Sequence, residues 1–418
     1  MGSFVHRALP LLSFAILCYF LTGTVSSIMN VSVGMLETER GWDATLLSGS
    51  MSVAALVNVV TGFIAGRMNS NGSARVSCAV WGMLYIVGVL SMGVAPQMGL
   101  FIVSMVLANA ASSALGYSTV PVLITNWFPM RKGTVQGFVS VGILLSSLSA
   151  VMYTAAVRYV GVELATVPFA AVGGIALVIL HVWVVDRPEQ VGLAPDTMER
   201  IDASMALSCD GSIAIEEGRA PIGSNQMRAW LSNPSFVGIS LALGVQLLFC
   251  GGIMVQVVPR LMEIGFSLDE ASSALIATSL CACAGSFAFG YIGDRWGVNV
   301  GVRLSFFVGA CAGVMNLSDS RMIVLASLVL IGIVVGCSDS WPVGVCAEFF
   351  GREGFSNAFG VMLPIIQLVG AAGPAAFAFV AAQTGSYDWS YLCASILLIV
   401  GLIVYSVLSK RLTRTRVP

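Results

Sequence analysis

The sequence predicts an all-α membrane protein in which twelve transmembrane helices form two parallel repeats of six. Three observations carry this reading: an extreme apolar composition, a regular train of apolar runs, and a short basic turn that occurs twice. The 418 residues are 57% hydrophobic and 10% charged, with a mean hydropathy of +0.90. A soluble globule carries about a quarter charged residues, so this chain belongs in a bilayer.

About twenty apolar residues cross a hydrocarbon core. On that measure the first half divides into spans near 9–33, 46–66, 76–95, 99–125, 133–157 and 164–185, and the second half into spans near 236–259, 271–293, 300–318, 321–347, 355–383 and 389–408. Arg7 ahead of the first run resembles the start of a signal peptide, but the run continues to Val33 without a convincing cleavage site, which predicts an uncleaved span. The stretch from Asp186 to Ser235 holds eight acids and the four arginines Arg187, Arg200, Arg219 and Arg228. It separates an N-terminal bundle (1–185) from a C-terminal one (236–418).

The basic turn reads G-F-I-A-G-R-M at Gly62 to Met68 and G-Y-I-G-D-R-W-G at Gly290 to Gly297, each where an apolar run ends. A second arginine follows thirteen residues after the first glycine in both copies, at Arg75 and Arg303. Another echo pairs W-F-P-M-R-K-G at Trp127 to Gly133 with F-F-G-R-E-G at Phe349 to Gly354. With six spans per half, the repeats run in the same orientation. Of the 20 Lys and Arg, all but Arg40, Arg158, Arg260 and Arg321 then fall on the side of the N-terminus. The positive-inside bias predicts that both termini and the central loop are cytoplasmic, in a plasma membrane protein.

The net charge of -1 and the lack of a basic run exclude a nucleic-acid partner. No nucleophile–base constellation, metal-ligand spacing or cofactor motif stands out, so neither an enzyme nor a metal site is expected. Nine of the ten cysteines, Cys209 apart, lie within or at the ends of apolar runs and read as packing residues. No oligomer signal is evident; the expected partners are lipid, a small solute and protons, with the chain acting as a monomer.

The G-Y-I-G-D-R-W-G turn resembles the loop signature of the major facilitator superfamily, and the resemblance covers essentially the whole chain. The run G-Y-S-T-V-P-V-L-I-T-N-W-F-P-M-R-K-G (Gly116 to Gly133), R-P-E-Q-V-G-L-A-P-D (Arg187 to Asp196) and G-W-D from Gly41 are similar to its oxalate/formate exchanger and monocarboxylate porter branch. Two departures stand out. The first turn has Gly66 where the family usually has an aspartate, leaving Arg67, Asp294 and Arg295 as the expected gating residues. Relatives often carry an arginine in the eighth span, whereas this chain reads A-G-S-F-A-F-G around Ser286, and the eleventh span has no Lys or Arg.

The resemblance implies that the first, fourth, seventh and tenth spans line a central cavity. Tyr19, Thr22, Ser26 and Asn30 then share one face of the first span, and Asn109, Ser113, Tyr117 and Pro121 one face of the fourth. Hydroxyls in such helices also bond back to their own backbone or to a neighbouring helix. In the seventh span Gln246, Gln256 and Arg260 lie on one stripe. Arg260 reads either as an anion attractor or as an interfacial arginine paired with Glu263. His181 in the sixth span reads as structural.

Asp339, in G-C-S-D-S-W-P, is the one acid well inside an apolar run. Eighteen residues from Arg321 at about 1.5 Å each place it past the midplane, where a carboxylate is costly unless paired, wetted or protonated. It reads as a proton carrier or a counter-charge to a cation, or as a hydrated residue near the interface. The functional expectation is a secondary transporter of a small organic solute by alternating access, foremost a mono- or dicarboxylate or other organic anion, proton-coupled or exchanging. The alternatives are a proton-coupled exporter of neutral or cationic solutes, weakened by the lack of proline in the fifth span (Gly133 to Val157), and a non-transporting sensor.

Overall fold

The computed structural model describes residues 2–196 and 230–414, and all their regular structure is helical. Most of the central loop, including Arg200, Cys209, Arg219 and Arg228, lies outside the described residues, as does Arg416. The first half provides α1 (Gly2–Arg40), α2 (Ala44–Asn71), α3 (Ala74–Val94), α4 (Met98–Trp127), α5 (Lys132–Leu164) and α6 (Val167–Trp183). The second provides α7 (Pro234–Glu263), α8 (Leu268–Trp296), α9 (Val298–Met315), α10 (Arg321–Ser338), α11 (Gly354–Thr384) and α12 (Asp388–Arg414). Among the described residues, 11 helices are long and apolar enough to cross a membrane, and α6 is a shorter apolar helix of 17 residues.

Local chemistry sets the ends of these helices. Gly41 turns the chain at φ 63°, and the Asp43 carboxylate then accepts the Leu46 N–H at 3.0 Å to start α2. Trp42 packs on Phe101 with ring centroids 5.5 Å apart, so each residue of the G-W-D motif has a structural task. Asn233 accepts the N–H groups of Ser235 and Phe236 ahead of Pro234, and Ser267 with Glu270 forms a capping box for α8.

Two spans depart from the uninterrupted helices predicted above. Within α4, residues Ala114–Thr119 form a π turn just ahead of Pro121. Proline has no N–H for the carbonyl four residues back, so the ladder re-registers there. Thr119 Oγ1 donates to the Ala114 carbonyl at 3.0 Å and Asn69 Nδ2 donates to the Ser118 carbonyl at 3.1 Å, covering acceptors that the wider turn disturbs. The tenth span breaks at Asp339, the C-cap of α10, and helix resumes at Ser340. The residue responsible is Pro342, which cannot donate to the Ser338 carbonyl.

Two compact units make up the chain, and each contains a short piece from the other half of the sequence. Unit 1 comprises Met1–Lys132, Val141–Gln226 and Arg352–Gly360; unit 2 comprises Gly133–Ser140, Met227–Gly351 and Val361–Pro418. The exchanged pieces are the heads of the fifth and eleventh spans, which follow the two echoed loops. Inside unit 2, α8 and α10 approach closely: a Cβ on Gly332 would lie 2.4 Å from the Thr278 carbonyl oxygen, and one on Gly336 1.8 Å from that of Ala282. The small-x-x-x-small spacing of these glycines is what permits that crossing.

Candidate functional site

Polar residues inside the spans collect in unit 1 where α1, α2 and α4 meet. Asn109 Nδ2 donates to Ser26 Oγ at 3.3 Å, and its Oδ1 accepts from Asn58 Nδ2 at 2.9 Å. Ser26, Asn58 and Asn109 are all half-buried, as is Tyr117 in the π turn, whose ring meets that of buried Tyr19 edge-on at 5.9 Å. Asn58 Oδ1 is buried and has no partner among the described residues, so the chain of amides ends on an unused acceptor. Thr22 instead serves packing, donating to the carbonyls of Cys18 at 2.8 Å and Ser112 at 3.0 Å. Ser113 is buried, and the Asn30 side chain lies outside the described residues.

Asn58 is the residue that reading the sequence missed. An amide inside the apolar run V-N-V-V was the available signal, but only the first, fourth, seventh and tenth spans were expected to present polar faces.

The duplicated basic turn is used differently in its two copies. In unit 2 the Asp294 carboxylate accepts the N–H of Gly133 at 3.0 Å and of Thr134 at 2.7 Å, capping the head of α5 with negative charge. In unit 1 the equivalent Gly66 lies against Gly360, where a Cβ would sit 2.3 Å from the Gly360 Cα. Gly66 thus replaces a carboxylate with direct backbone contact. Arg67 and Arg295 are both exposed, and among the described residues Arg295 reaches Tyr291 on its own helix, at 2.8 Å. The second arginines correspond more closely: Arg75 donates to the His181 carbonyl on α6, and Arg303 to Ser409 Oγ on α12 at 3.2 Å.

Ser286 does not border an opening. It is 2% exposed, with the Cβ positions of Gly137 and Gly336 crowding its backbone from two sides. A long cation at this point of α8 would have no room.

Arg260, at the end of α7 in unit 2, is 4% exposed and fully engaged. Its guanidinium contacts Asp388 at 2.5 Å and Glu263 at 2.9 Å, and donates to the Asn316 side chain at 3.3 Å and the Asn316 carbonyl at 2.8 Å. Gln256, one turn earlier, accepts from Tyr387 Oη at 3.1 Å, tying α7 to the segment before α12. Gln246 is buried among packing partners, donating to Ser305 Oγ on α9 at 3.0 Å.

Among the described side chains, Arg40 at the end of α1 and Arg321 at the start of α10 are engaged as well. Arg40 donates to the Ala95 carbonyl at 2.7 Å and sits over Trp42, and Arg321 donates to the Gly265 carbonyl and sits over Phe266. Asp339 differs from all of these. Half-buried at the break after α10, it stands near Cys250 and Cys337, and its carboxylate has no hydrogen bond or ion pair among the described residues.

A chain of two duplicated six-helix halves, with amides, hydroxyls and the acid Asp339 inside its spans, has the build of a membrane transporter for small solutes. Residues 15–374 match the Major Facilitator Superfamily, and the chain belongs to that family. It is therefore a multi-pass integral membrane protein. No curated protein matches it in sequence.

Solved structures of the same fold include the E. coli fucose:proton symporter FucP, with a TM-score of 0.69 and 13% identity over 95% of this chain and 98% of that one. The human organic anion transporter MFSD10 (TETRAN) gives 0.66 and 14% over 96% and 97%. The proton:xylose symporter XylE bound to 6-bromo-6-deoxy-D-glucose gives 0.69 and 12% over 96% and 95%. At such identities the likeness concerns the fold alone.

Proposed function

We propose that this protein moves a small, neutral, polar solute by alternating access, coupled to protons through Asp339. The observation that carries the reading is the state of the cations: Arg40, Arg260 and Arg321 all have protein partners, and α4 contains no Lys or Arg. A carboxylate solute needs a guanidinium or ammonium with free donors. A hydroxylated or amide-bearing solute needs the mixed donors and acceptors that Ser26, Asn58, Asn109 and Tyr117 offer. Tyr19 would stack against the solute or orient Tyr117, while Gln256 and Arg260 shape the far end of α7.

Asp339 suits proton coupling because a solitary carboxylate in an apolar span is costly as a bare charge, and taking up a proton removes that charge. Asp294 and Gly66, which contact the heads of the spans that follow the echoed loops, would make the two cytoplasmic gates unequal, with Arg67 and Arg295 contributing surface charge. We place both termini in the cytoplasm from the lysine and arginine bias, and take the protein to act as a monomer in a plasma membrane.

A second reading, transport of a mono- or dicarboxylate, is favoured by the similarity of residues 116–133 and 187–196 to the carboxylate branch. A thermal-shift screen of the purified protein separates the two. Stabilisation by sugars, polyols or amides supports the neutral solute, and stabilisation by carboxylates alone overturns it. Uptake of the stabilising compound into proteoliposomes then tests transport against mere sensing.

A further inference from the structure

The motif R-P-E-Q-V-G-L-A-P-D from Arg187 to Asp196 takes no part in the solute site, yet within unit 1 it touches both echoed loops. Asp196 accepts the Met130 N–H at 3.0 Å and the Arg131 N–H at 3.1 Å, in the loop after α4. Glu189 lies in a single 3-10 turn, Pro188–Val191, and takes both ends of the Arg352 guanidinium at 2.6 and 3.0 Å. Arg352 belongs to the second loop and opens the segment Arg352–Gly360, which is part of unit 1.

The ties behind the motif and the pair on its surface differ in kind. Just before Arg187 the chain is anchored to the end of α4 by inward-facing side chains: Asn126 Nδ2 donates to the Asp186 carbonyl at 3.2 Å, and Trp127 Nε1 to that of Val185 at 3.0 Å. Gly192, at φ 71°, turns the chain between the two carboxylates. Glu189, by contrast, is 46% exposed, and an ion pair so open to water holds weakly and is easily remade. A strong tie would trap one state.

We propose that residues 187–196 form a reversible clasp: seated on the end of α4 and the loop after it through the Val185 and Asp186 carbonyls and Asp196, they hold the head of the eleventh span through Glu189 and Arg352 and release it once per transport cycle. The release step rests on the alternating-access reading; the clasp itself does not, and its test needs no solute.

Hydrogen–deuterium exchange on the purified full chain reads the clasp directly. Glu189→Gln is expected to raise exchange across 352–360 by about two- to fivefold, the range an exposed ion pair supports, without changing peptides at Met130 and Arg131. About 0.5 M NaCl should reproduce the effect in the unmodified protein and add nothing in Glu189→Gln. Combining Glu189→Arg with Arg352→Glu should restore protection. Unchanged exchange in Glu189→Gln, or failure of the reversed pair to restore it, overturns the clasp. Normal clasp behaviour in a protein that transports nothing would overturn the release step and the functional reading, and leave the clasp standing.

Discussion

Gly66 and Gly360 meet backbone to backbone inside unit 1, with room for no side-chain atom on either: a Cβ on Gly360 would lie 2.6 Å from the Gly66 Cα. This contact explains why the first basic turn cannot carry the aspartate found in the second. Gly66→Ala should force the two backbones apart at a cost of about 1–3 kcal/mol, and Gly66→Asp should cost more despite restoring the acid. Thermal unfolding of the two variants checks the order; a neutral Gly66→Asp would show that the contact opens freely.

Removing the Arg260 guanidinium strands Glu263, Asp388 and the Asn316 carbonyl. A fully buried pair broken on one side costs about 3–5 kcal/mol. Because Asp388 is 48% exposed, the expected loss in Arg260→Ala is smaller, about 2 kcal/mol. Arg260→Lys should recover part of it, since an ammonium can hold one carboxylate but cannot reproduce the fork. If Arg260→Ala is as stable as the parent yet loses anion uptake, the arginine serves the solute instead.

Asp339→Asn should abolish proton-coupled uptake while leaving the protein inserted and its unfolding temperature nearly unchanged. No donor is stranded by the change, because no hydrogen bond or ion pair reaches this carboxylate among the described residues. Uptake driven by a pH gradient, compared with solute exchange in its absence, is the measurement. Full coupling in the variant would remove Asp339 from the mechanism.

The Glu189–Arg352 pair should weaken in acid. Partial burial pushes the Glu189 carboxyl up, but the hydrogen bonds and charge of Arg352, a backbone N–H and nearby Arg187 outweigh it and hold it below 4.5. A carboxylate lowered in the folded state contributes stability that is present above its unfolded value and lost as pH falls through the folded one. The difference in unfolding temperature between the parent and Glu189→Gln should therefore be constant near neutrality and shrink below about pH 4.5. A difference that grows with acidification would contradict this.

Hydropathy made the fold legible, because a span must be apolar for its full length whatever it packs against. Each predicted span has a helical counterpart; most ends shift by a few residues, where caps such as Ser73, Asn233 and Ser267 decide them, while α1 and α5 run seven residues past the prediction and α10 stops nine residues short of it. What stayed hidden was partnership across distance. Arg260 and Glu263 are neighbours on one helical face, so their pairing could be foreseen; Asp388 and Asn316 arrive only through packing. Gly66 looked like a missing charge until Gly360 was beside it. Asn58 carries its signal openly, as an amide within an apolar run, but lies on the second span, outside the four expected to line the cavity.

The π turn at Ala114–Thr119 adds one residue to the winding of α4, so the helix on either side of it is out of phase by about 100°. Above the turn Asn109 addresses α1 and α2; below it Asn126 addresses the chain just past α6. One rod thus behaves as two half-rods keyed to different neighbours, and Tyr117 sits at the joint between them.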